Sequence, residues 1–332
     1  MSNDLFIDES ELKSLVMKEQ CAFRNDVLTG LSKSHKEISS KYFYDAKGSD
    51  LFNQITRHPD YYLTQCEVEI LHSCKYQLAN LFGDEEFNLV ELGPGEGIKT
   101  QILIEAFLEK RLAFSYMPID ISKMYLKKIM DDFNRKLPDL SLSVINSDYF
   151  KGLEWLKANS SRRNLVLFLG SSIGNFDLAN AENFLVHLWE TLNDGDCVFI
   201  GFDLKKNIET LIKAYDDTDG ITRAFNLNLL QRMNNELGAD FDLTQFFHYP
   251  TYNVNMGAME SYLVSRVNQV VTLDGLSQTF LFAPYEPIYV ECSYKYHSAQ
   301  LGMLAKVTGF DVVDMFYDEK NYFVDALWRV RK

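Results

Sequence analysis

Three glycines fall within five residues, Gly93, Gly95 and Gly97, in the stretch NLVELGPGEGIKT. A glycine turn can take up left-handed backbone and lay bare N–H groups against a ligand. Such a cluster alone would mark only a loop. Here the apolar run Phe87–Leu92 precedes it and a helical pattern, Lys99–Leu108, follows. Strand, glycine turn and helix together present a helix N-terminus to a nucleotide-like cofactor. The dinucleotide fingerprint requires glycine at its first, third and sixth positions. Counted from Gly93 the sixth is Ile98, so a nicotinamide dehydrogenase is not expected. Asp120, ending the next candidate strand, can accept hydrogen bonds from two ribose hydroxyls. Asp148 can accept from an adenine amino group while Tyr149 packs on its ring.

The elements that must carry these residues read as an α/β sheet. Candidate strands are Leu89–Leu92, Phe114–Ile119, Ser141–Ile145, Leu165–Leu169 and Cys197–Phe202, separated by helix-like sequence. Phe310–Tyr317 and Tyr322–Val330 read as a terminal hairpin with an antiparallel strand. Two segments break the alternation: the N-terminal part, and Lys205 to about Tyr296 with β-rich stretches Met259–Leu273 and Thr279–Tyr296. They are too long for connections and predict a second, discontinuous α+β substrate-binding lobe. The expected division is 66–204 with 296–332 for the cofactor domain, and 1–65 with 205–295 for the substrate domain.

Composition narrows the partners. The 332 residues are 46% apolar and 14% aromatic, which describes a packed globular chain. A formal charge of −14 argues against duplex nucleic acid or an anionic membrane as partner. No run is long and apolar enough to span a bilayer, and MSNDLFIDESELKSL lacks the apolar core of a signal peptide. Five scattered cysteines without a CxxC pair suit reduced thiols and a cytoplasmic location. Six histidines form no HExxH motif, and no metal site is expected. His58, His248 and His297 read as surface or packed side chains. YDDTDG begins like a calcium loop but has Tyr215 and Asn226 at its first and last ligand positions, so that reading fails.

The strand-end features, in chain order, resemble a class I S-adenosylmethionine-dependent methyltransferase. Longer strings go further. YFYDAKGSDLFNQITRHPDYYLTQCE, LGSSIGNF, AYDDTDGITRAFNLN, ADFDL and ECSYKY are similar to the histidine-specific N-methyltransferase family, from about residue 22 to the end. The best-known members trimethylate the α-amine of L-histidine in ergothioneine biosynthesis; a relative methylates a prenylated tryptophan. The resemblance implies S-adenosylmethionine as methyl donor, with Gly93 and Lys99 at cofactor-loop positions beside Gly95, Asp120 on the ribose, and Asp148 and Tyr149 at the adenine. It implies Tyr61, Asn175, Tyr215, Glu291 and Ser293 as the amino-acid site, with Tyr44 nearby. By it, Asn175 holds the α-amine, Tyr215 the carboxylate, and Glu291 with Ser293 the imidazole.

Glu291 and Ser293, two apart on a candidate strand, share a face. A carboxylate and a hydroxyl there can serve both nitrogens of an imidazole. Ser261 stands where the family's best-known member has a pocket methionine, and Pro94, Glu96 and Gly97 depart from the usual glycine loop. These differences bear on which amine is used. Tyr61 or Tyr44 can relay the proton the amine must lose, and tyrosine rings can face a methylated cation. Histidine is favoured over a tryptophan derivative, and a fold kept for binding without turnover is the third reading. A monomer acting on a small amino acid is expected.

Overall fold

The computed structural model describes residues 9–83, 85–274 and 278–332, with the backbone alone for 9–19. The N-terminal residues read above for a targeting segment fall largely outside this set. The chain divides into two compact units, Leu63–Lys205 with Tyr294–Lys332, and Met1–Tyr62 with Lys206–Ser293.

The first unit is built on an eight-stranded sheet. Its neighbours run Phe310–Tyr317, Phe323–Val330, Cys197–Asp203, Arg163–Phe168, Phe87–Leu92, Phe114–Asp120, with Ser141–Leu142 and Ile145–Asn146 both beside the last. All pairings are parallel except those of Phe323–Val330, antiparallel to both neighbours. Every residue of Phe87–Leu92 and of Cys197–Asp203 is buried. Burial on both faces is what helices covering both sides of a parallel sheet impose. The strand order reverses between Phe87–Leu92 and Arg163–Phe168, the topological switch point at which open α/β sheets bind ligands. The fold is the α/β sheet expected from the sequence.

One strand differs from the sequence reading. Ser141–Ile145 is not one strand but two short pairings, because the chain there is partly exposed and only Ser143 N–H bridges to the Tyr116 carbonyl between them. The terminal hairpin turns on Asp318, whose carboxylate accepts the N–H groups of Lys320, Tyr322 and Phe323 at 3.0, 2.7 and 2.7 Å.

The second unit has a four-stranded sheet in the order Lys36–Glu37, Pro287–Tyr294, Ala258–Ser265, Phe246–Asn253, and a separate hairpin, Gln269–Leu273 with Gln278–Phe282. Helices Ala46–Arg57 and Ile221–Leu237 pack with it around Phe43, Leu51, Phe225, Leu229, Leu263 and Val290. Phe246–Asn253 was not foreseen. It contains Pro250, which an edge strand tolerates, and the strand lies at the sheet's edge. No helix among the described residues is long and apolar enough to cross a membrane.

Candidate active site

The glycine turn leaves the C-terminal end of Phe87–Leu92, beside the switch point. Gly93, Gly95 and Gly97 have φ of 68°, 56° and 70°, the left-handed region that side chains disfavour. Gly97 N–H closes the turn on the Pro94 carbonyl at 2.9 Å. Helix Ile98–Glu109 follows with Gly97 as its cap and no side-chain cap, so its first N–H groups have no competing carboxylate or hydroxyl at the N-cap. Glu91, just before the turn, points inward instead. Its carboxylate accepts from Thr100 Oγ1 at 2.6 Å and from the Tyr116 hydroxyl, tying strand to helix.

Tyr149 closes over the turn. A Cβ added to Gly93 would lie 2.6 Å from its hydroxyl. Burial, then the charges of Asp120 and Glu91, push its phenol up, so it is a neutral hydrogen-bonding group at neutral pH. Asp120 ends its strand with one carboxylate oxygen accepting Ser122 N–H at 2.7 Å, and burial raises it. Gly93, Asp120 and Tyr149 thus belong to one corner of the sheet.

Asp148 is the N-cap of helix Tyr149–Asn159. It accepts Lys151 N–H at 3.0 Å and pairs with Lys151 Nζ at 2.8 Å. Burial works against its charge, but the Lys151 bonds outweigh it and lower the carboxyl. Its two oxygens therefore already have local duties. Lys99 reaches Glu67 at 2.5 Å, and Glu67 in turn accepts Gly170 N–H at 2.7 Å, joining helix Ile98–Glu109 to the end of Arg163–Phe168. After that strand Gly170 and Ser171 are both left-handed, and the Ser171 hydroxyl accepts Asp203 N–H at 2.9 Å. The short helix Ser172–Asn175 follows and presents Asn175 at its exposed end. A Cβ on Gly174 would meet the Tyr294 carbonyl at 2.8 Å, so glycine allows that close approach.

The remaining candidates belong to the other unit. Tyr44, 42% exposed, and Tyr61 both meet Phe52 edge-on, with centroids 5.5 and 6.4 Å away, and Phe225 adds a further ring beside Tyr44 and Phe52. Asp60, next to Tyr61, binds Lys213 at 2.8 Å and Thr218 N–H and hydroxyl at 3.1 and 3.0 Å. Those bonds tie the Tyr61 loop to the segment holding Tyr215, the last residue of helix Ile208–Tyr215. The Lys213 bond is the main reason the Asp60 carboxyl falls to about 2. The acidic run after Tyr215 has a structural use: Asp217 accepts Ile221 and Thr222 N–H at 2.8 and 2.6 Å, starting helix Ile221–Leu237, and Asp219 meets His58 at 3.2 Å.

Ser261 is buried opposite Pro250, on the same sheet face as Leu263 and His248. Glu260, on the other face, accepts the Tyr262 hydroxyl at 2.7 Å, and Tyr262 meets Tyr289 at 5.5 Å. Glu291 is half-buried and Ser293 buried. Both lie in strand Pro287–Tyr294, two residues apart and so on one face. Ile288 and Val290 are buried, and Tyr289, Glu291 and Cys292 are half-buried.

Phe52, Phe225, Asp60, Glu67 and Asp325 were missed in the sequence. Phe52, Asp60, Glu67 and Phe225 sit in the quoted family strings, which was the one signal available; Asp325 had none. His58 and His248 are buried, and His297 caps helix Ser298–Val307.

The parallel sheet with one antiparallel insertion, its glycine turn and its strand-end carboxylate define a class I methyltransferase. Residues 23–330 match the family described as histidine-specific methyltransferase, SAM-dependent, and the chain belongs to that family. It is an S-adenosylmethionine-dependent methyltransferase. The histidine N-alpha-methyltransferase of Mycolicibacterium smegmatis is 38% identical over 275 residues, 83% of this chain and 84% of that protein. That of Mycobacterium tuberculosis is 33% identical over 302 residues, 91% and 93%. The 4-dimethylallyltryptophan N-methyltransferase of Claviceps purpurea is 25% identical over 309 residues, 86% and 88%.

Proposed function

We propose that this enzyme methylates the α-amine of free L-histidine, up to the N,N,N-trimethyl product. The observation that carries this is the 38% identity, over most of both chains, with a histidine N-alpha-methyltransferase. S-adenosylmethionine supplies an electrophilic methyl group and a thioether leaving group. The glycine turn, the uncapped helix N-terminus, Asp120 and Tyr149 fit a nucleoside with a charged amino-acid tail. In our assignment Gly93, Gly95 and Lys99 face the amino-acid end, Asp120 the ribose, and Asp148 with Tyr149 the adenine. Asn175 orients the α-amine, Tyr215 the carboxylate, and Glu291 with Ser293 the imidazole.

The chain's main work is alignment of a neutral amine in line with the departing sulfur. The new N–C bond forms as the S–C bond breaks, and the amine sheds one proton per cycle. Tyr61 or Tyr44 passes that proton on, directly or through water. The aromatic group of Tyr44, Phe52, Tyr61 and Phe225 suits a nitrogen that gains bulk and finally keeps its charge. Ser261, buried and small, leaves the choice of side chain to Glu291 and Ser293. The five cysteines are thiols rather than disulfides, which fits our assignment to the cytoplasm, and we assign a monomer. A screen of free amino acids with S-adenosylmethionine, read by product mass, tests the reading. Turnover of tryptophan derivatives without turnover of histidine would replace it.

A further inference from the structure

Three ionisable groups lie together at the inner end of the glycine-turn helix. Glu67, from helix Tyr62–Ala79, is fully buried. One of its oxygens is 2.5 Å from Lys99 Nζ, and the other accepts Gly170 N–H. The third group is Asp325, on Phe323–Val330, paired across the sheet with Gly201. A Cβ on Gly201 would come within 2.5 Å of Glu67 Oε1, so the missing side chain is what lets Glu67 lie over that strand. Asp325 is fully buried, and among the described residues no N–H or hydroxyl reaches either of its oxygens. Its polar neighbour is the Glu67 carboxyl. Two carboxylates that face each other without a donor are satisfied by one proton held between them. Burial, then the Glu67 charge, push Asp325 well up, while Lys99 opposes. Cys74, one helical segment away on the Glu67 helix, is itself pushed up by burial and stays a neutral thiol; Asp314, on the next strand, is the remaining charge that Cys74 feels.

The charges then add simply. Lys99 is +1, Glu67 −1 and protonated Asp325 zero, giving a neutral set behind a lysine whose side chain is still 24% exposed; Glu91, the further acid coupled to Lys99 and Glu67, is itself raised by burial. Loss of the Asp325 proton would leave the cluster at −1. We propose that Glu67 and Asp325 form a proton-sharing pair that positions Lys99 and keeps its surroundings neutral, so that it receives the carboxylate of the cofactor's methionine moiety. This rests on the assignment of Lys99 to the cofactor. Glu67 and Asp325 are positioning residues: they act through Lys99.

The test is calorimetric and needs no turnover. S-adenosylhomocysteine carries the carboxylate; 5′-methylthioadenosine has the same nucleoside without it. Glu67→Gln should weaken S-adenosylhomocysteine about tenfold at neutral pH while leaving 5′-methylthioadenosine within about twofold. Between about pH 7 and about pH 9.5 the native enzyme should lose affinity for S-adenosylhomocysteine at least about threefold more than Asp325→Asn, which has no proton to lose. Titration of the ligand's own amine is common to both proteins and cancels. Equal losses in both, or equal weakening of both ligands by Glu67→Gln, would overturn the proposal. Should Glu67→Gln fail to fold, Lys99→Met carries the same ligand comparison, and unchanged preference there overturns it equally. No binding of S-adenosylhomocysteine at any pH would remove the reading of Lys99 and this proposal with it; binding that ignores the carboxylate would remove the proposal alone.

Discussion

The Tyr149 hydroxyl occupies the space where a side chain on Gly93 would begin, 2.6 Å from an ideal Cβ. The backbone of the turn and the ring after the third strand are therefore fitted to each other, although 56 residues separate them (149 − 93). Gly95, two residues on, has the same left-handed backbone with open space around it. Gly93→Ala should cost both backbone strain and displacement of Tyr149, lowering S-adenosylhomocysteine affinity by about tenfold or more. Gly95→Ala should cost only the left-handed penalty, about 1–2 kcal/mol of stability. Titration calorimetry beside thermal melts separates the two; equal effects on binding would show that Tyr149 simply moves aside.

Asp120 offers a second check on the cofactor corner. One oxygen is engaged by Ser122 N–H, and burial raises the carboxyl, so the group has little freedom to find another partner. Asp120→Ala should weaken S-adenosylhomocysteine by about tenfold, or about 1.4 kcal/mol. Unchanged affinity would remove the ribose assignment.

Glu291 decides between imidazole and indole. If it accepts an imidazole N–H, Glu291→Ala should raise KM for histidine by about 5- to 150-fold, the cost of about 1–3 kcal/mol for an unpaired buried donor. Tryptophan derivatives should suffer less or gain from the space. Ser261→Met should leave a histidine preference intact or tighten it. Unaltered histidine kinetics in Glu291→Ala would move the substrate assignment to another amine.

His248 makes a prediction about stability. Among the described residues neither buried ring nitrogen has a hydrogen-bond partner, and burial, then Arg223, lower the ring to about 4 from its ordinary 6.5, with Asp217 opposing. The folded state resists a proton that the unfolded chain takes up. Its contribution is thus fully present above about pH 6.5 and is lost as pH falls through about 4, amounting to about 3 kcal/mol over that window. Urea melts should show this loss, and His248→Gln should lack it. A native protein equally stable at pH 7 and pH 4.5 would contradict the buried neutral ring.

The parallel strands were legible because each is a short apolar run between helical patterns, and Phe87–Leu92 and Cys197–Asp203 are buried along their whole length. The glycine turn was legible because left-handed backbone demands glycine. Phe246–Asn253 was not, since Pro250 and its polar neighbours argue against a strand unless it is known to lie at an edge. Ser141–Ile145 was read as regular because residue types do not reveal that an outermost strand frays into two contacts. Glu67 and Asp325 could not be paired from sequence: they are 258 residues apart (325 − 67) and meet only because Gly201 leaves room between them.

Cys197–Asp203 pairs on one side with Arg163–Phe168, but its other side waits for Phe323–Val330. During synthesis that second partner emerges only about 120 residues later, roughly 6–24 s at 5–20 residues per second. Throughout that interval a strand apolar but for its terminal Asp203 presents an open hydrogen-bonding edge, the kind of surface that recruits other chains. That edge is covered only when Phe323–Val330 has been made and docks, a stage the finished sheet no longer betrays.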